Sequence, residues 1–124
     1  MTFPTIQFKG TNVGLDPMLQ TLVEQKFTTL EKYIGDETDV KCEVEFEKET
    51  GNHHNTGNIH RVEVNLFFAG KMYRAEASRD SFQTAIDEVQ SDLDRELRKA
   101  NEKQETLLKK GGRKIKEMLR FGKY

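Results

Sequence analysis

The sequence contains a single cysteine and no long run of apolar residues. One thiol, Cys42, cannot form an internal disulfide, and such sparing use of cysteine is typical of a reducing compartment. The longest uninterrupted apolar run, Leu66 to Ala69, is far too short to cross a bilayer. The N-terminus lacks the charged and then apolar pattern of a secretory signal. We therefore expect a cytoplasmic protein with no membrane partner.

The length of 124 residues leaves room for one compact domain. A chain of this size can bury roughly two-thirds of the surface that its unfolded form exposes, so its core needs no metal or disulfide. The net charge of −1 conceals a division along the chain. Residues 1–94 carry 9 basic and 17 acidic side chains, whereas residues 95–124 carry 11 basic and 4 acidic ones. This asymmetry points to a polyanionic partner for the last quarter, although on charge alone a solvated helix with a disordered basic tail is the more ordinary explanation.

Alternating apolar and polar residues predict four strands. They span Phe3 to Lys9, Val40 to Glu49, Ile59 to Phe68 and Met72 to Ser78. The turn-rich segment from Thr50 to Asn58 is predicted to be a mobile connection.

Two segments show helical periodicity. The first helix is predicted to begin at Asp16 and Pro17, because Asp caps free amides and Pro fits the first helical position. Gly35 is predicted to end it. The second helix is expected to be capped by Ser78 or Asp80, and its apolar stripe, Phe82, Ala85, Ile86, Val89, Leu93, Leu97 and Ala100, fades near Gln104. The pair Gly111–Gly112 is predicted to break the helix and to leave a disordered tail.

The order β-α-β-β-β-α predicts an α+β fold, in which a four-stranded sheet carries two helices packed on one face. The small inward residues Ala75 and Ala77 leave space for a helix to approach the sheet. The opposite face is expected to stay wet and to repel a polyanion, because it carries Glu43, Glu45, Glu47, Glu63 and Glu76.

Few residues in the sequence could support catalysis. His53, His54 and His60 do not match the spacings of metal ligands, and Cys42 lies on the inward side of a strand, as a core residue would. The glycines of the segment from Gly10 to Gly14 lack the Gly-Lys-Ser/Thr of a phosphate-binding loop. We therefore expect no enzyme activity, no metal and no cofactor.

The last predicted helix, which begins near Phe82 and is labelled α3, carries a ridge of four cations, Arg95, Arg98, Lys99 and Lys103, which we call the α3 ridge. These residues recur every three or four positions and face away from the apolar stripe. Arginine grips phosphate with two parallel hydrogen bonds and lysine acts as a mobile charge, so the ridge suits a nucleic-acid backbone. Equally, Glu96, Glu102 and Glu105 could pair with nearby lysines as ordinary surface support.

Several segments, taken in order, resemble the family of ribosome hibernation-promoting factor and protein Y. These are Leu30-Glu31-Lys32-Tyr33, Arg61-Val62-Glu63-Val64, Met72-Tyr73-Arg74-Ala75-Glu76-Ala77, Asp80-Ser81-Phe82-Gln83-Thr84-Ala85-Ile86-Asp87 and Leu93-Asp94-Arg95-Glu96-Leu97. The resemblance covers residues 3 to about 103. It implies a non-enzymatic factor of the fold predicted above, which occupies the channel for messenger RNA and the A- and P-site transfer RNAs on the small ribosomal subunit.

The resemblance also implies which residues bind ribosomal RNA. Basic residues of the family's helices correspond here to Lys26, Lys32, Arg79, Arg95, Arg98, Lys99 and Lys103. Because such contacts recognise shape and phosphate, no base-reading motif is needed. Asp92 and Asp94 stand where relatives often carry Lys or Glu, which weakens the expected contacts at the start of the α3 ridge.

The resemblance is to the short form of the family, without the C-terminal domain that pairs two ribosomes, and we expect a monomer when free. Residues 1–106 form the expected ribosome-binding domain and 107–124 a flexible basic tail. In that tail Lys109, Lys110, Arg113, Lys114, Lys116 and Arg120 either order along RNA on binding or are dispensable. The alternative function is a regulator that uses the same ridge on another RNA or on a transcription factor.

Overall fold

The computed structural model describes residues 3–50 and 58–120, with residues 50, 58 and 105–120 described by their backbone alone. The strands are β1 (Ile6–Thr11), β2 (Lys41–Thr50), β3 (Asn58–Phe68) and β4 (Lys71–Arg79). The helices are α1 (Pro17–Phe27), α2 (Glu31–Ile34) and α3 (Phe82–Arg120), and a 3-10 turn, Thr28–Leu30, separates the first two. The segment between β2 and β3, predicted to be mobile, lies at 51–57, outside the described residues.

The four strands form one sheet in the order β1-β2-β3-β4. The outer strand β1 runs parallel to β2, whereas β2, β3 and β4 are antiparallel neighbours. Because a parallel pair needs a crossover connection, α1 and α2 must pass over one face of the sheet between β1 and β2. α3 packs beside them on that face and contacts β3 and β4. The predicted α+β fold is confirmed.

The first strand begins three residues later than predicted. Phe3 is not part of β1: its backbone N–H donates to the Glu31 carboxylate at 2.7 Å, and its ring meets the edge of Phe27. β1 begins where Ile6 comes opposite Cys42 of β2. Near the end of β1 the following backbone folds back against Gly10. A Cβ atom at Gly10 would lie 2.4 Å from the carbonyl oxygen of Val13, so this position has no room for a side chain.

The first helix is interrupted rather than continuous. Asp16 accepts the Met18 amide at 2.9 Å, which confirms the predicted N-cap. The interruption follows Phe27, where the hydroxyls of Thr28 and Thr29 donate to carbonyl oxygens three residues earlier, at 2.7 and 2.9 Å. Such local bonds compete with regular helix geometry and favour the 3-10 turn. Gly35 ends α2 with a φ of 62°, as its predicted capping role requires.

The turn between β3 and β4 consists of Ala69 and Gly70, with φ of 53° and 76°. Two positive φ values match the two-residue turn that fits the twist of a hairpin, and Gly70 adopts its value without strain. The predicted N-caps of α3 were wrong: the Ser81 hydroxyl, rather than Ser78 or Asp80, accepts the Thr84 amide at 3.2 Å. Ser81 directly precedes the helix, so its side chain alone reaches the first free amides.

The core lies between the sheet and the helices. The inward residues of the strands are apolar, and the small Ala75 and Ala77 of β4 lie against α3 as predicted. All members of the predicted α3 stripe from Phe82 to Leu97 are buried, and Ala100 is half-buried. From the first helical segment, Val23, Phe27 and Leu30 are fully buried and complete this single core.

α3 runs through Gly111–Gly112 and ends at Arg120, so the predicted break was wrong. Two glycines cost a helix about 1 kcal/mol each, but most residues on either side are strong helix formers. The tail predicted for 107–124 is therefore helical as far as Arg120, and 121–124 lie outside the described residues. The division of the chain at residue 106 stays a prediction.

Candidate nucleic-acid interface

The first helical segment and α3 lie side by side and run in the same direction. Among the side chains that the structure describes, three polar contacts join them, and the partners in each are 61 residues apart. They are Lys26 Nζ to Asp87 at 2.5 Å, Gln90 Nε2 to Thr29 Oγ1 at 2.7 Å and Tyr33 Oη to Asp94 at 3.0 Å. A constant offset means that the two helices are in parallel register. This helical layer carries six of the seven cations predicted to bind RNA, and the seventh, Arg79, is the last residue of β4.

Four of those seven cations are paired with acidic side chains. Lys26 pairs with Asp87 of α3, and Arg79, at the end of β4, pairs with Glu88. Within α3, Arg95 pairs with Asp92 and Arg98 lies 3.7 Å from Asp94. Asp92 also raises the pKa of Arg95 by accepting its hydrogen bond. The acids that the sequence placed at the start of the α3 ridge thus neutralise this part of it.

Lys32 is exposed, and its ammonium lies 5.2 Å from the centre of the neighbouring Tyr33 ring. Lys99 and Lys103 are exposed one helical turn apart. Within the described parts of the chain, neither of these two forms an ion pair. The seven predicted residues are therefore not one uniform site: four are held by acids, whereas Lys32, Lys99 and Lys103 are exposed and form no ion pair among the described residues.

Lys99 and Lys103 line a groove of about 700 Å³ at the end of the sheet. The β3–β4 hairpin forms its other wall and contributes the exposed Lys71 and the half-buried Tyr73. Tyr33 of α2 closes one side. Burial, and the hydrogen bond that the hydroxyl donates to Asp94, raise the pKa of Tyr33. We call this feature the hairpin groove.

Sequence reasoning missed the hairpin side of this groove. Lys71 and Tyr73 are about 30 residues from the ridge along the chain, and no local spacing connects them. The connection could nevertheless have been predicted from the topology. A helix that follows β4 and packs on the sheet must run back along that strand, which brings its later residues near Lys71 and Tyr73 at the beginning of β4. The same reasoning places Arg79 far from Lys99, since eight residues of strand span about 26 Å.

The last two-thirds of α3 form a strongly basic helix. Residues 95–120 contain ten basic and four acidic residues, a net charge of +6, over about 38 Å of helix. The predicted tail contacts Lys109, Lys110, Arg113 and Lys114 lie within residues 105–120, for which the structure describes only the backbone. Their role in binding RNA stays a prediction.

The opposite face of the molecule is acidic, as predicted. The register places Glu45, Glu63 and Glu76 side by side across three strands. Arg61 lies among these acids: it bonds Glu47 at 3.1 Å, pairs with Glu63 at 3.3 Å and also pairs with Glu76. Glu76 above all, and Glu63 after it, raise the pKa of Arg61. Both arginines of this face, Arg61 and Arg74, are held by glutamates, and the remaining carboxylates make the surface unsuited to a polyanion.

The side chains considered for catalysis have structural surroundings. Cys42 is buried in the core, and burial raises the pKa of its thiol to about 12, which removes the thiolate that a nucleophile needs. His60 packs edge-on against Phe82, with ring centres 4.7 Å apart. His53 and His54 lie outside the described residues.

Within 3–50 and 58–120, no three His, Cys, Asp or Glu side chains are grouped to hold a metal ion. None of the helices described there is long and apolar enough to cross a membrane.

The fold and the charge distribution define a small α+β domain that presents a basic helix on one side and an acidic sheet on the other. Residues 6–105 match the model of the family described as Sigma 54 modulation protein / S30EA ribosomal protein. The match covers most of the chain, and the protein belongs to this family.

Two curated relatives and two solved structures agree with this assignment. The ribosome hibernation promotion factor of Deinococcus radiodurans is 31% identical over 93 residues, which are 75% of this chain and 47% of that protein. The factor of the same name from Mycobacterium tuberculosis is 32% identical over 98 residues, 79% of this chain and 43% of that protein. The chain thus spans less than half the length of either relative.

The solved structures share the fold at lower sequence identity. The protein Y N-terminal domain of Thermus thermophilus superposes with a TM-score of 0.62 at 20% identity, covering 75% of this chain and 93% of that one. A ribosomal subunit interface protein from Coxiella burnetii gives 0.59 at 22% identity, covering 77% and 96%.

Proposed function

We propose that this protein is a ribosome hibernation factor that binds the small ribosomal subunit in the channel for messenger RNA and transfer RNA, and inhibits translation in idle ribosomes. The observation that carries the proposal is the basic end of the helical layer, where Lys99 and Lys103 are exposed and the following helix is strongly positive. Both curated relatives are named for ribosome hibernation.

The physical basis of binding is neutralisation of phosphate. Ribosomal RNA offers a dense array of phosphates, and each lysine that meets one releases condensed counterions, which favours association at low salt. The acidic sheet face disfavours the reverse orientation, because its glutamates would be brought towards the same phosphates. The helical layer therefore meets RNA and the sheet faces away.

Inhibition follows from occupancy and needs no catalytic group. A folded domain in the decoding channel excludes messenger RNA and transfer RNA by volume alone. The position within the subunit rests on the family resemblance, so the experiment must test position as well as binding.

The test is co-sedimentation of the full chain with purified small and large subunits at low and moderate salt. We expect binding to small subunits that weakens with salt and is competed by initiator transfer RNA. Substitution of Lys99 and Lys103 by Glu should abolish it, whereas Lys9→Glu with Lys41→Glu, the same change on the sheet side, should not. Binding without competition would refute the channel position. Absence of binding at both salts would refute the proposal and favour the regulator of another RNA or of a transcription factor.

A further inference from the structure

We propose that the hairpin groove holds an unstacked nucleotide of single-stranded RNA, with the base against the Tyr73 ring and the flanking phosphates at Lys71, Lys99 and Lys103. The inference rests on the proposed function, because it specifies which form of RNA the basic helix meets.

The groove combines the two features that single-stranded nucleic acid requires. Three exposed lysines, Lys71, Lys99 and Lys103, surround it and outnumber Glu96, the one acidic residue among the described side chains that line it. This excess of positive charge complements a phosphodiester backbone. Aromatic rings that accept the face of a base, beside cations that follow the backbone, are the usual design of single-strand sites.

The aromatic wall is held in place before any ligand arrives. Tyr73 stacks on Phe68 with ring centres 5.3 Å apart and planes inclined by 27°. Tyr33 is fixed by its hydroxyl, which donates to Asp94. Rings that are already ordered lose little conformational entropy when a base stacks on them.

The shape and polar lining favour one unstacked nucleotide over a duplex. Bases in an A-form helix are stacked and paired, so their faces cannot reach a ring in a groove. Asn101 and Gln104 also line the groove, and their amides can both donate to and accept from the edge of a base. Duplex RNA could meet the lysines but would leave the aromatic wall unused.

The chain suits a direct optical measurement. It contains no tryptophan and three tyrosines, of which Tyr33 and Tyr73 line the groove. Stacking of a base on either ring should quench the tyrosine fluorescence. We would titrate the full chain with a uridine hexanucleotide and, in parallel, with a short RNA duplex.

Two substitutions isolate the ring of Tyr73. Tyr73→Leu keeps an apolar side chain against Phe68 but removes the stacking surface, and should weaken binding of an end-labelled hexanucleotide about tenfold in fluorescence anisotropy, a readout that does not depend on Tyr73 itself. Tyr73→Phe retains the ring and should bind as the unchanged protein does. Phe67→Leu, at a half-buried aromatic on the opposite sheet face, is the matched control and should have no effect. Thermal unfolding of each variant verifies that it is folded.

The outcomes separate this inference from the proposed function. If Tyr73→Leu binds the hexanucleotide as tightly as the unchanged protein, or if the duplex quenches equally, the inference is refuted, even when the chain binds ribosomal subunits. If the hexanucleotide binds through Tyr73 while ribosomal subunits are not bound, the inference holds and the proposed function fails.

Discussion

Removing the two exposed lysines of the α3 ridge should make RNA binding less dependent on salt. Lys99 and Lys103 lie about 6 Å apart along the helix axis, so both can meet phosphates of one backbone. Each neutralised phosphate contributes about 0.7 to 0.9 to the slope of log K against log salt concentration. Substitution of both lysines by Gln should therefore reduce the slope by about 1.4 to 1.8.

This change in slope predicts a specific pattern of affinities. Between 50 and 200 mM salt, the affinity advantage of the unchanged protein over the double variant should shrink by roughly tenfold. The assay is equilibrium binding of labelled protein to small ribosomal subunits across this range. Lys9→Gln with Lys41→Gln removes the same charge from the sheet side. An unchanged slope in the ridge variant, or an equal reduction in the control, would refute the assignment of phosphate contacts to this end of α3.

Three further predictions concern stability and the tuning of the ridge. Gly10→Ala should destabilise the fold by about 1–3 kcal/mol, because the new methyl group collides with the backbone carbonyl of Val13. Gly14→Ala places its methyl group in open space and should leave the free energy of unfolding in denaturant unchanged. Equal losses of stability in the two variants would contradict this. Burial raises the pKa of Cys42 from 9.0 to about 12, so above pH 9 the unfolded chain ionises this thiol while the folded protein keeps it protonated. The contribution of Cys42 to the free energy of unfolding should therefore be fully present below pH 9 and should fall between pH 9 and 12 by up to about 1.4 kcal/mol per pH unit. The difference in unfolding free energy between the unchanged protein and Cys42→Ala should follow that profile, and a flat difference would be evidence against it. Asp92→Asn should release Arg95 and tighten RNA binding by roughly two- to fivefold, and weaker binding would mean that the ion pair positions the arginine.

Much of the fold is readable from the sequence because its strands alternate strictly. The inward residues Cys42, Val44 and Phe46 and the outward glutamates between them specify both the strand and its buried face, and the boundaries of β2 were predicted to within one residue. A shift of one residue would expose the whole apolar set to water, so the pattern allows a single register.

The errors fall where local chemistry or distant contacts decide the structure. The interruption after Phe27 depends on two threonine hydroxyls bonding to nearby carbonyls, which leaves no trace in the apolar periodicity. The pair Gly111–Gly112 predicted a break, yet the helix formers around it carry α3 onwards.

The candidate site was only half predictable. The α3 ridge follows from spacing within one helix, and its exposed lysines were identified. The pairing of Lys26 with Asp87 and of Arg79 with Glu88, and the position of Tyr73 opposite the ridge, depend on how separate elements pack. Such contacts become visible only in three dimensions.

The most direct test of the central claim is to ask which face of the protein lies against ribosomal RNA. An iron chelate that releases hydroxyl radicals can be attached to a cysteine placed at the exposed Asn101, in the hairpin groove, or at the exposed Glu43, on the sheet. Cys42 is buried, with the pKa of its thiol at about 12, and should not react. We predict cleavage of small-subunit RNA from residue 101 and little from residue 43. Equal cleavage from both, or stronger cleavage from residue 43, would contradict the account.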